Sequence, residues 1–208
     1  MLAGSSRNLL ESLGLEDKDA DDFNITNNIG RRDGVKDYDT NAEMLEAFKH
    51  LGFTEAEVFD IQKVVAAVLH LGNVAFKAGD EGGEGESSNI VNNAAASEAC
   101  RLIGIDFQTL ERAVCFKTIT VVRDKVHKPL NIRRAQKSLE ALMKALYSSI
   151  FDVIVSKVNR SIKIDDVGGG QLGSISVLDI FGFESFKKNS FEQVRSWQGA
   201  NDEAYYAT

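Results

Sequence analysis

The sequence predicts a predominantly helical chain with strands, of α/β or α+β class. Three observations carry that reading. Leu139, Leu142, Met143, Leu146, Ile150, Phe151, Ile154 and Val158 form a helical stripe from about Ile132 to Ile162, and a helix of about thirty residues spans roughly 45 Å. Two Thr-x-x-Glu pairs, Thr40 to Glu43 and Thr54 to Glu57, have the spacing of capping boxes. The runs Thr118 to Val122 and Ser174 to Ile180 are rich in the β-branched residues that suit extended chain.

Taken in order, the first helix starts at Thr40, carries Leu45, Phe48 and Leu51 on one face and ends at Gly52. A second opens at Thr54, holds Val58, Ile61, Val65, Val68 and Leu69 at helical period, and reaches a C-terminal cap at Gly72. Val74 to Phe76 is a short strand, and Gly79 to Ser88 a solvated, insertion-tolerant loop. Ala94 to Ile103 is a small-residue helix, and Asp106 caps the next one through Leu110 and Val114. Pro129 stands just upstream of the long helix. Beyond that helix, Ser161 to Asp166 and Ser174 to Asp179 are expected to pair as a hairpin around Gly168 to Gly173.

Composition limits the function classes. A chain of 208 residues that is 43% hydrophobic can bury one or two modest cores. A formal net charge of -7 argues against non-specific nucleic-acid binding. Cys100 and Cys115 have no metal-ligand spacing and no disulfide framework, which points to a reducing, cytoplasmic setting. No apolar run of membrane length and no leader core is present, so membrane insertion and secretion are not expected and the sequons at Asn24 and Asn159 are read as unused. Gly168, Gly170 and Gly173 match G-x-G-x-x-G, but they follow a helix and precede a strand, the reverse of a dinucleotide site. His50, His70 and His127 lack neighbours at ligand spacing and are read as surface or helix-end residues.

The chemistry sits in Val177-Leu178-Asp179-Ile180-Phe181-Gly182-Phe183-Glu184-Ser185-Phe186 and in Asn189-Ser190-Phe191-Glu192-Gln193. An apolar strand there turns a corner that can meet a nucleotide phosphate. Gly182 has no Cβ, so its N–H can approach closely, and Asp179 is placed to act near a magnesium ion. The pattern resembles the switch II segment of the myosin motor domain and the opening of its relay helix. Leu2-Ala3-Gly4, Asp33 to Asp37, His70-Leu71-Gly72-Asn73, Lys128-Pro129-Leu130, Ser138 to Lys144 and Tyr147 to Asn159 are similar to further segments of that family, in the same order.

The resemblance implies a fragment of a P-loop NTPase-type motor domain, its 50-kDa region, over residues 1–193. It implies an actin-based motor that couples ATP hydrolysis to movement. In the complete motor Gly182 would donate its N–H to the γ-phosphate, Asp179 would hold the Mg shell through water, and Glu184 would pair with a switch I arginine. Phe183, Phe186, Asn189 and Phe191 would pass closure to the relay helix. An actin-facing loop is expected from about Lys117 to Lys128, with Asp124 as its fixed acidic residue beside Arg123, Lys125, His127 and Lys128. Implied partners are actin filaments and the remainder of the motor, and the implied location is the cytoplasmic actin cytoskeleton. The phosphate-binding loop and switch I are absent, so the chain alone is expected not to hydrolyse ATP. Residues 194–208 depart from the relay-helix pattern and read as a non-homologous ending. The competing reading is a non-enzymatic, myosin-like module that binds actin or another partner through the Asp124 loop.

Overall fold

The computed structural model describes residues 2–27, 34–79, 86–91, 93–121 and 124–163, with the backbone alone at 93, 120, 121, 124 and 125. The chain divides into two units, Met1–Ile164 and Asp165–Thr208, and the described residues belong to the first.

Ser6 opens a short helix, α1 (Arg7–Ser12), its hydroxyl accepting the Leu9 N–H at 3.4 Å. Helix α2 (Asp37–His50) starts before the expected Thr40 box. Its cap residue, Lys36, makes no side-chain cap bond, and Asp37 and Asp39 complement the positive helix end instead. Thr40 is already inside the helix, its N–H bonded to the Lys36 carbonyl at 3.1 Å. At the other end Gly52 takes φ +74. The Gly52 N–H reaches the Lys49 carbonyl at 3.1 Å and the Phe53 N–H reaches Phe48 at 2.9 Å, the pair of bonds that satisfies a helix end.

Helix α3 (Glu55–Gly72) opens on the capping box read from the sequence. Thr54 Oγ1 accepts the Glu57 N–H at 3.3 Å, and Glu57 Oε2 accepts the Thr54 N–H at 2.8 Å. The cap falls on Asn73, one residue after the expected Gly72. Strand β1 (Phe76–Ala78) lies slightly later than expected and pairs antiparallel with β2 (Ser88–Ile90), whose first residue falls within the predicted loop. Helices α4 (Asn93–Ile103) and α5 (Phe107–Cys115) follow, the latter capped by Asp106, which accepts the Thr109 N–H at 2.8 Å. Strands β3 (Phe116–Val121) and β4 (Asp124–Pro129) form a second antiparallel pair. Helix α6 (Ile132–Ile162) is the long helix, with the expected bounds. Ser161 is therefore helical, which removes it from the predicted hairpin arm. Ile162 is helical as well and Lys163 is the C-cap of α6, and residues 164–179 of that hairpin lie outside the described residues.

Among the described residues the fold is mostly helical, with two small antiparallel sheets. Helix α3 packs against both α4 and α6, so it buries two sides. Ile61, Gln62, Ala66, Ala67, His70 and Leu71 are buried, and the single apolar stripe of the sequence marks only part of that surface. One core gathers Leu71, Ile90, Cys100, Leu110, Val114 and Leu139, another Leu13, Leu15, Phe23 and Leu102, and a third Phe48, Phe53 and Ile61. Ile150, Ile154 and Val158 of α6 pack on the third. Phe151, expected on the same stripe, is exposed. Both cysteines are free and buried, and burial pushes the Cys115 thiol up to about 11.

Candidate functional site

The segment expected as a loop from Lys117 to Lys128 is a β-hairpin. Its β-branched first strand is paired along its whole length by residues that carry little strand signal of their own. The register sets Thr118 opposite His127, Lys117 opposite Lys128, and Val121 opposite Asp124. Asp124 therefore begins the returning strand at the far end of the ladder. Arg123 lies outside the described residues, and only the backbone of Asp124 and Lys125 is described. His127 and Lys128 are exposed, as are Ile119 and Val126. Thr118 Oγ1 and His127 Nδ1 lie 3.2 Å apart across the strands.

The base of the hairpin is held firmly. The Leu130 N–H bonds the Cys115 carbonyl at 2.8 Å, where the chain leaves α5 and prepares to enter α6. Asn131 caps α6 by accepting the Arg134 N–H at 3.0 Å. Ser88 Oγ donates to the Leu130 carbonyl at 2.8 Å, and Glu111 accepts the Ile90 N–H at 3.2 Å, so β2 braces the same point. Beside this base is an open groove of about 570 Å³, lined by Thr109 and Arg112 of α5, Phe116 and Thr118 of β3, His127 of β4 and Ser138 of α6, among others. The sequence reading missed Thr109, Arg112 and Ser138. For Arg112 the signal is a local reversal of charge: from Arg112 to Lys137 stand eight lysines and arginines against one carboxylate, Asp124, in a chain of formal net charge -7.

The nucleotide-side residues Asp179, Gly182, Phe183, Glu184, Phe186, Asn189 and Phe191 lie outside the described residues, so the structure brings none of them together with the hairpin. Among the described residues no group of three His, Cys, Asp or Glu side chains could hold a metal ion, and no helix is long and apolar enough to cross a membrane. The helix-end reading holds for His70, but the residue is covered. It is only 2% exposed; its Nε2 lies 3.0 Å from the Leu13 carbonyl and its ring meets Phe23 edge-on. Burial lowers its pKa below the ordinary 6.5.

The sequence pattern of the family Myosin head (motor domain) matches residues 1–196. The chain is 37% identical over 194 residues to unconventional myosin-Ib of Homo sapiens, covering 93% of this chain and 17% of that protein. It is 34% identical over 194 residues to unconventional myosin-Ia of Homo sapiens and 35% over 193 residues to unconventional myosin-Ia of Gallus gallus, each time covering 93% of this chain and 18% of the relative. The chain thus spans less than a fifth of the length of these relatives. With nearly all of its residues matched, the chain belongs to the myosin head (motor domain) family.

Proposed function

We propose that this chain is a segment of an actin-based motor, of the P-loop NTPase-type fold, that couples hydrolysis of ATP with Mg to movement along actin filaments in the cytoplasmic actin cytoskeleton. The observation that carries the reading is the exposed β3–β4 hairpin, mounted on a braced base and leading directly into the 31-residue helix α6. An exposed, charged hairpin on a rigid mount suits a polar, salt-sensitive contact with another protein. Asp124 is its fixed negative charge, with Arg123 and Lys125 next to it in sequence and Lys128 toward the base of the ladder. In the complete motor Gly182 would offer its N–H to the γ-phosphate, Asp179 would help to hold Mg, and Glu184 would help to close the site, the metal supplying charge stabilisation for phosphoryl transfer. Phe183, Phe186, Asn189 and Phe191 transmit that closure. The segment by itself does not hydrolyse ATP.

The test uses a complete motor carrying this segment. Asp124→Ala lowers actin-activated turnover and actin affinity, by about 1 kcal/mol or less for an exposed contact, and leaves basal turnover nearly unchanged. Asp124→Glu preserves both. Gly182→Ala places a methyl group against phosphate and abolishes hydrolysis with or without actin. An equal drop in basal and actin-activated rates for Asp124→Ala would place that residue in folding or in the nucleotide site and remove the hairpin from the actin contact.

A further inference from the structure

The groove at the base of the β3–β4 hairpin is lined by two cations, Arg112 and Lys117, and by no carboxylate. His127 and the Thr118 hydroxyl line it as well, and Phe116 and Leu130 supply an apolar wall. Among the described residues no ion pair engages Arg112, Lys117, Lys128, Arg133, Arg134 or Lys137. Like charges gathered in this way repel one another unless an anion sits between them. The first turn of α6 repeats the pattern: it holds no acid and carries Arg133 and Arg134. The positive end of a long helix disfavours cations and favours an anion. Ser138, one turn further along α6, lines the groove, so this helix end borders it.

We propose that the groove binds a small soluble phosphate monoester that carries an apolar or aromatic body. The phosphate lies among Arg112, Lys117 and His127; a guanidinium matches two phosphate oxygens at once, and the Thr118 hydroxyl adds a donor. Phe116 and Leu130 receive the body. A volume of about 570 Å³ is within the range of small-molecule sites and well above what bare phosphate fills. The 3.2 Å contact between Thr118 Oγ1 and His127 Nδ1 fixes the imidazole against the strand. The site is at the base of the hairpin, separate from the Asp124 end, so its occupancy and the proposed actin contact can be measured apart.

The test is a titration of the full chain with phenyl phosphate, followed by phosphorus NMR and by protein chemical shifts, with inorganic phosphate and phenol run in parallel. Phenyl phosphate binds saturably and more tightly than either fragment. Arg112→Gln weakens it by about tenfold or more, as expected for a lost charge-assisted bond. Arg112 is exposed, so this variant keeps the fold, and Lys117→Gln is a second reading of the same loss. Arg160→Gln, at the far end of α6, leaves the affinity unchanged. Equal losses for Arg112→Gln and Arg160→Gln would reduce the effect to general charge attraction and overturn the site. Absence of saturable phenyl phosphate binding would overturn it too, as would binding confined to phosphatidate-containing vesicles, which would identify a lipid headgroup as the source of phosphate.

Discussion

Lys157 Nζ lies 2.5 Å from both carboxylate oxygens of Glu57 and 4.9 Å from the centre of the Phe53 ring, closing α6 onto the start of α3. The same carboxylate completes the Thr54 capping box. One side chain thus finishes a local helix start and fastens it to a helix 100 residues away.

That arrangement predicts a titration. The Lys157 hydrogen bond, and then those from the Thr54 N–H and hydroxyl, hold the Glu57 carboxyl at about 2 against its ordinary 4.5. The folded state favours the charged form, so the contribution is complete above pH 4.5 and is lost as pH falls toward 2. The thermal midpoint should fall through this window, and Glu57→Gln should flatten the fall while lowering the midpoint at neutral pH. An unchanged slope in the variant would mean that another group titrates there.

His70 gives a second pH dependence, of separate origin. Burial lowers its pKa from 6.5, while Lys18, Glu98 and Arg101 act on it from the neighbouring segments. A histidine kept neutral in the fold protonates more readily when unfolded, so stability is present above pH 6.5 and declines on acidification below it. His70→Leu should remove that decline. It also leaves the Leu13 carbonyl without its 3.0 Å partner, at a cost of about 1–3 kcal/mol at neutral pH. Urea unfolding of both proteins at a series of pH values measures both effects.

Two glycines should respond differently to alanine. A Cβ on Gly4 would stand 2.2 Å from the Asp37 carbonyl oxygen, and backbone cannot swing away as a side-chain tip can. Gly4→Ala should therefore displace the start of α2 and cost about 1–3 kcal/mol or more. At Gly52 nothing lies within 4 Å of the added atom, and the cost is the φ of +74 alone. Gly52→Ala should lose about 1 kcal/mol with no change in packing. Equal losses in denaturant unfolding would contradict the assigned causes.

The exposed surface of α6 carries large apolar side chains among its polar ones. Tyr147, Phe151, Val153 and Ile162 are each at least 55% exposed. Exposed apolar side chains of this size favour a covering surface, and the chain should bind a hydrophobic fluorescent dye. Phe151→Ser should reduce the dye signal while shifting unfolding by less than about 0.5 kcal/mol, as befits a surface change. Dye binding that persists undiminished would place the exposed patch elsewhere.

Features closed by bonds a few residues apart were legible in the sequence. The Thr54–Glu57 box, the Asp106 cap, the Gly52 stop and both ends of α6 belong to this group. Thr40 to Glu43 misled for the same reason: it has box spacing, but the helix had already begun at Asp37. Strand β3 announced itself by its β-branched run. Strand β4 did not, because Asp124 to Pro129 contains one β-branched residue and becomes a strand by pairing with β3. The Asp124 hairpin was thus half visible as extended chain, and its groove became visible only once α5 and α6 were set beside it.

By itself the sequence determined where the chain coils, where it turns and which family it resembles, since capping, helical period and ordered motifs are properties of residues close in the chain. Tertiary structure decided which of those residues are buried. His70 is covered because Leu13, 57 residues earlier, supplies a carbonyl, and Phe151 stays exposed although Ile150 and Ile154 beside it are packed. Periodicity states only that a face is apolar; burial depends on which distant element arrives to cover it, and the free energy of that arrival comes from surfaces far apart in sequence.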